Sequence, residues 1–314
     1  ARNGLHCGLT RWTDPHPHAK DPMSEHIIGR RSFDFEKQIA VMAVVNRTPD
    51  SFYDRGRTYE IDAAVSSAVQ AAEQGADWVD IGGVPFGRGP AVSSAEELER
   101  IVPVIEQVAA ASDVVISVDT YRAEVAEAAT SAGASVINDT SGFSDPRMAA
   151  TVAGSGAHVV ITHSAGRPRE EKPPARYADV VDEVRAFLVE RVDRAVEAGI
   201  PRENIILDPG HDLDKNTLHT LEITRRLDEI VGLGLPVLAA VSNKDFIGEA
   251  IDRPQGERIH GSIAAMMACI ERGARIVRMH DVASAVDAAR MYEAVVGWRE
   301  PVRVEHNAQP GGNV

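Results

Sequence analysis

The sequence predicts an α/β fold of the TIM type, a (β/α)8 barrel. Three observations carry that expectation. Eight short runs rich in Val, Ile and Ala follow one another between residues 39 and 280, and segments of helical period separate them. Most of the runs are continuously apolar, as parallel strands covered on both faces are. No GxGxxG follows the first run and no Walker A run occurs, so the alternative of a doubly wound nucleotide-binding sheet loses its signature.

The runs, in order, are IAVMAVVN (39–46), ADWVDIGG (76–83), VVISVDT (114–120), ASVINDTSG (134–142), AHVVITH (157–163), NIILDPG (204–210), PVLAAVS (236–242) and ARIVRMH (274–280). Between the second and third, Ser94 with Glu97 reads as a capping box, and Leu98, Ile101, Val102 and Ile105 share one helical face. Pro103 is expected to kink or break that helix. Between the fifth and sixth, Val181, Val184, Leu188 and Val192 form an apolar face that Gly199 ends. Gly75 and Gly133 close two other helices in the same way, each just before a strand. Residues 24–38 are compatible with a short hairpin under the barrel floor. The organisation expected is a flexible extension over 1–22, the barrel with its hairpin over 23–298, and a C-terminal tail over 299–314.

A chain of 314 residues accommodates one barrel of roughly 250 residues plus tails. Its 47 acidic against 33 basic residues give a net charge of −14, which repels a phosphate backbone and argues against nucleic acid as a partner. The two cysteines, Cys7 and Cys269, build neither a disulfide framework nor a CxxC metal clip, so a reducing compartment is the simpler reading. No apolar stretch reaches the roughly 18 to 20 residues of a membrane span, and no secretory h-region is present. A cytoplasmic protein without a membrane partner is expected.

In a barrel of this kind the chemistry sits at the C-terminal ends of the strands. The polar residues there are Asn46, Gly82 and Gly83, Asp119, Asn138, His163, Asp208, Ser242 with Lys244, and Arg278 with His280. A single polar strand end is usually a turn former, but Asp119, Asn138 and Asp208 all follow runs that enter a buried barrel. Paired Asp and Asn groups suit a ring edge that donates two hydrogen bonds, such as a pterin or guanine. Arg278, His280, Asn46 and the helix amino ends suit phosphate or pyrophosphate. A metal hydrolase fits less well, because no HxH stands at a strand end; His163 and His280 alone read more readily as hydrogen-bonded structural histidines.

Seven segments, NRTPDSF (46–52), DIGG (80–83), SVDT (117–120), IND (137–139), LDPG (207–210), SNK (242–244) and RMHDV (278–282), resemble the motifs of dihydropteroate synthase in order and spacing. The resemblance covers about residues 38–298. It implies a pterin held by Asp119, Asn138, Asp208 and Lys244, and a diphosphate met by Asn46, Arg278 and His280, with Mg2+ near Asn46. Asp119, Lys244, Arg278 and His280 are the catalytic residues it implies. The reaction implied joins a pterin-methyl diphosphate to an aromatic amine, 4-aminobenzoate in the family, with release of pyrophosphate, and the assembly implied is a homodimer.

The sequence departs from the family in four places. Arg47 replaces a small apolar residue. VPFGRG (84–89) replaces a Ser-Thr-Arg-Pro run and displaces its basic residue to Arg88. His211, Asp212, Leu213 and Asp214 stand where a Gly-Phe-Gly loop precedes Lys215. Asn243 replaces an Arg beside Lys244. All four lie in loops that the resemblance assigns to the second substrate, while the pterin residues are intact. The chain therefore resembles a divergent paralogue, with three functions in contention: a synthase-type transferase using 4-aminobenzoate or another amine, a methyltetrahydrofolate-dependent corrinoid methyltransferase, and a non-catalytic pterin binder.

Overall fold

The computed structural model describes residues 25–46, 56–84, 90–165 and 176–306. The first two strands, β1 (Glu25–Ile28) and β2 (Arg31–Asp34), pair antiparallel as the expected hairpin. Eight parallel strands follow: β3 (Ala40–Asn46), β4 (Trp78–Gly82), β5 (Val115–Asp119), β6 (Val136–Asp139), β7 (His158–Thr162), β8 (Ile205–Asp208), β9 (Leu238–Ala239) and β10 (Ile276–Met279). Each falls within one of the eight apolar runs. Their order is β8-β7-β6-β5-β4-β3-β10-β9, and a parallel bridge between Leu207 and Val237 closes the ring.

The helices on the outside are α1 (Gly56–Glu73), α2 (Ser94–Ala111), α3 (Ala123–Ala132), α4 (Met148–Ser155), α5 (Val180–Glu197), α6 (Thr217–Arg225), α7 (Leu227–Val231), α8 (Asp245–Ile251), α9 (Ile259–Glu271) and α10 (Val282–Val295). Along α5 the four anticipated apolar residues are all buried, and Gly199 follows the helix at a φ of 98°. Two details of α2 correct the sequence expectation. Its cap is Ser93, whose hydroxyl accepts from the Glu96 N–H at 3.2 Å, one residue earlier than the Ser94–Glu97 box. Glu97 is instead fully buried and ion-paired to Arg122. The helix also runs from residue 94 to 111 without a break at Pro103. Burial of Ile101, Val104, Ile105 and Val108 on the strands holds it together, outweighing the hydrogen bond that the proline cannot donate.

Alternation along the strands divides the core in two. Outward residues such as Val79, Ile81, Val159 and Ile161 pack under the helices. Inward residues Ala40, Met42, Trp78, Val115, Val136, Val160, Ile206, Leu238 and Ile276 fill the barrel, and Ile28, Phe33 and Phe35 of the hairpin region join them. Phe33 meets Trp78 edge to face with ring centroids 5.7 Å apart. The lower barrel is thus solid, and burial of each large side chain contributes about 1.5 to 3 kcal/mol. Among the described residues the inward polar side chains gather in the upper half of the strands, His158 at the start of β7 apart, which places the site at that mouth.

Candidate active site

Asp80 lies on β4 two residues above Trp78 and shares its inward face, fully buried. Its carboxylate gathers three donors. The Ser117 hydroxyl on β5 donates to Oδ1 at 2.7 Å, Asn138 Nδ2 on β6 donates to Oδ2 at 3.1 Å, and Arg278 Nε on β10 donates to Oδ2 at 2.7 Å. Because a carboxylate only accepts, the Asn138 amide must turn its nitrogen to Asp80 and its oxygen away. That oxygen is buried and has no partner among the described residues, and neither has the Thr162 hydroxyl on the neighbouring strand. Orphaned buried polar atoms are rare and costly.

Asp119 sits one pleat above Ser117, in register with Asn138 and Gly82. Thr140 Oγ1 donates to it at 3.2 Å, and Arg278 Nη2 is 3.8 Å away. Burial, and then the negative charge of Asp80, push its carboxyl up to about 7. Asp208, at the end of β8, is 4% exposed and accepts from the Gly210 N–H at 2.7 Å. Burial raises its carboxyl too, against the nearby cation of Lys244. Burial conversely lowers the Lys244 ammonium, which donates to the His211 carbonyl. Three carboxylates thus face two cations across the floor.

Of the residues expected from the sequence, Asp119, Asn138, Asp208, Lys244 and Arg278 come together around this mouth. Ser242 shares the inward face of Leu238 and Ala240, and it accepts from the His280 N–H at 3.1 Å while its hydroxyl lies 3.0 Å from Nδ1. Partial burial, then the cations Arg278 and Lys244, hold the His280 imidazole below its ordinary value. Gly82 ends β4 and Gly83 follows it; a Cβ on Gly83 would lie 2.9 Å from Ile101 Cγ2 and 3.1 Å from Glu97 Cγ, so Gly83 lets α2 approach the strand. Asn46 ends β3 in register with Gly82, and its side chain lies outside the described residues, as do Arg47 and Arg88.

His163 is the hydrogen-bonded structural histidine that the sequence suggests. His163 does not belong to the inward ring: Thr162 takes that place by parity, and His163 turns outward beneath the loop after β8. Its Nδ1 lies 2.8 Å from Lys215 Nζ, which also donates to the carbonyls of Gly210 at 3.0 Å and Leu213 at 2.8 Å. Burial, and then the Lys215 charge, bring His163 down to about 3, so it accepts from the ammonium as a neutral ring. Sequence reading also passed over Asp80, Ser117 and Thr162. The signal was present: each is a polar residue at inward parity, two positions from an inward apolar or polar neighbour.

The loop that departs most from the dihydropteroate synthase pattern is held by its own substitutions. Asp212 and Asp214, which replace glycines, take φ values of 63° and 54°, a region that Asp tolerates better than most residues. Asp214 Oδ2 accepts from Ser164 Oγ at 2.9 Å and the Ala165 N–H at 2.7 Å. Gly210 is indispensable here, because a Cβ would lie 2.1 Å from the His163 carbonyl oxygen. Asn243, also at positive φ, accepts on Oδ1 from the Gly256 N–H at 3.1 Å and on its carbonyl from Arg258 at 3.2 Å.

Among the described residues no three His, Cys, Asp or Glu side chains converge to hold a metal ion, and no helix is long and apolar enough to cross a membrane. The arrangement offers a ligand buried acceptors on Asn138 and Asp208 and a half-buried one on Asp119, with cations on Lys244 and Arg278. It suits a flat heterocycle with N–H donors along one edge.

The family described as "Pterin binding enzyme" matches residues 42–280. A protein of Mycobacterium leprae named "Inactive dihydropteroate synthase 2" is 43% identical over 269 residues, 84% of this chain and 92% of that one. The dihydropteroate synthase of Bacillus subtilis is 40% identical over 264 residues, 83% of this chain and 90% of its own. Among solved structures, Xanthomonas albilineans dihydropteroate synthase with 4-aminobenzoic acid superposes with a TM-score of 0.81 at 39% identity, covering 87% of this chain and 98% of that one.

Proposed function

The chain belongs to the pterin binding enzyme family, and from that premise we propose that it is a dihydropteroate synthase-like protein that binds a dihydropterin diphosphate and joins it to 4-aminobenzoate weakly or not at all. The observation that carries the pterin half is the orphaned Asn138 oxygen, fixed by Asp80 and bordered by Asp119 and Asp208. A ring that donates from its amino and N–H edge satisfies it. Lys244 then meets the acceptor atoms of the same ring.

In the transfer reaction pyrophosphate leaves a methylene conjugated to an electron-rich pterin, and the cation so formed is captured by a weakly basic aromatic amine. Stabilising the departing charge dominates, and little is asked of a general base. Arg278 and His280 are the protein groups for that charge, His280 as a neutral hydrogen-bonding ring. Asn46 would hold a Mg2+ ion, which would supply neutralisation of the leaving diphosphate's charge.

The loss of the aminobenzoate step is supported by the altered loop at residues 211–214 and by Asn243, whose side chain is engaged with Gly256. The relative named as inactive supports it as well. The second reading, transfer to a different amine, keeps Arg278 and His280 as the groups that meet the departing charge. A coupled assay of pyrophosphate release from pterin diphosphate, with 4-aminobenzoate and with other aromatic amines, tests the proposal. Pterin binding with turnover on another amine establishes the second reading; turnover on 4-aminobenzoate at an ordinary family rate refutes the first.

A further inference from the structure

Two loops at the mouth are joined by a reciprocal pair of contacts. Lys244, between β9 and α8, donates its ammonium to the carbonyl of His211 in the loop between β8 and α6. The next residue of that loop, Asp212, returns the contact: its Oδ2 accepts from the backbone N–H of Phe246, 3.2 Å away and two residues beyond Lys244. Its other oxygen accepts from Thr220 Oγ1 of α6 at 3.1 Å. One carboxylate thus serves two helices. Glycine would occupy a φ of 63° with less strain than any other residue, so the backbone does not account for an aspartate here. Its contacts do.

Resting on the pterin reading above, we propose that Asp212 is a positioning residue for Lys244: its carboxylate clamps the segment that carries the lysine, so that the ammonium is presented to the ligand over Asp208 instead of being lost to solvent. The negative charge of Asp212 also favours the charged form of the half-buried Lys244, after that of Asp208. Without the carboxylate the two segments keep the stacking of His211 on Phe246 and the lysine's own contact, and a ligand must displace the latter.

A double-mutant cycle separates positioning from simple support of the fold. Affinity for 6-hydroxymethylpterin is measured by calorimetry on the intact chain, on Asp212→Gly, on Lys244→Met and on the double variant. Asp212→Gly should weaken binding about five- to tenfold, the scale of one charge-assisted hydrogen bond, and should have no effect once Lys244 is gone. Asp212→Asn, which keeps an acceptor for the Phe246 N–H, should recover part of the loss. An equal loss in both lysine backgrounds, or no loss in either, overturns the proposal. If the unmodified protein binds no pterin, the functional reading fails instead, and the clamp is judged without ligand. Peptide mass spectrometry then follows reductive methylation of Lys244 relative to the exposed Lys37. Faster methylation of Lys244 in Asp212→Gly supports the clamp, and an unchanged ratio overturns it.

Discussion

Arg278 Nε lies 2.7 Å from Asp80 Oδ2, in an ion pair whose carboxylate side chain is 0% exposed and whose guanidinium-bearing side chain is 17% exposed. The pair crosses from β10 to β4 over the intervening β3. It fixes Arg278 at the mouth before any ligand arrives, and through the same carboxylate it fixes the orientation of Asn138.

Asp80→Asn should therefore destabilise the fold by about 3 kcal/mol, the cost of leaving a buried charge without its partner. Urea denaturation checks it through a lower midpoint with an unchanged slope. A loss of less than about 1 kcal/mol would mean that Arg278 finds another partner at no cost, with Asp119 the nearest candidate at 3.8 Å.

Asp119 gives a pH signature with a definite sign. A carboxyl raised to about 7 in the folded protein binds its proton more tightly folded than unfolded. Its contribution is favourable below the unfolded value and is lost as pH rises toward 7. Asp119→Asn should raise the melting temperature at pH 8 relative to the unmodified protein, and the gain should shrink or vanish at pH 4. Melting curves at the two pH values check this. A constant difference would show that Asp119 does not titrate between them.

With 4-aminobenzoate as second substrate, kcat/KM for pyrophosphate release should fall at least about a hundredfold below that of an ordinary family member, because a cationic partner and a ring contact are both replaced. Sulfonamides, which imitate the same aromatic acid, should inhibit or bind poorly. Steady-state kinetics on purified protein decide the matter, and a rate within about tenfold of an ordinary member contradicts the loss.

Much of the architecture was legible because it depends on features that a linear reading sees. Continuous apolar runs mark doubly covered strands, and Gly75, Gly133 and Gly199 mark helix ends through their positive φ. The mouth was legible for the same reason, since Asp119 and Asp208 close their strands. What escaped depends on parity and tertiary contact. His163 and Thr162 are adjacent, and only the phase of the strand decides which enters the barrel. Asp80 was hidden within DIGG, below the strand end, and its importance arises from Ser117, Asn138 and Arg278 on three other strands. The cap of α2 slipped by one residue because Ser93 and Ser94 are both competent caps, and burial of Glu97 against Arg122 selected the first.

The central claim is that the floor framed by Asn138 and Asp208 is a pterin site, and its most direct test is a calorimetric titration of the intact protein and of Asp208→Asn with 6-hydroxymethylpterin. The account predicts saturable binding that weakens by about 1.5 to 3 kcal/mol in the variant, since an amide cannot accept from both ring donors as the carboxylate does, while the fold is retained. Equal affinity in the two proteins would remove Asp208 from the site, and no binding to either would contradict the claim itself.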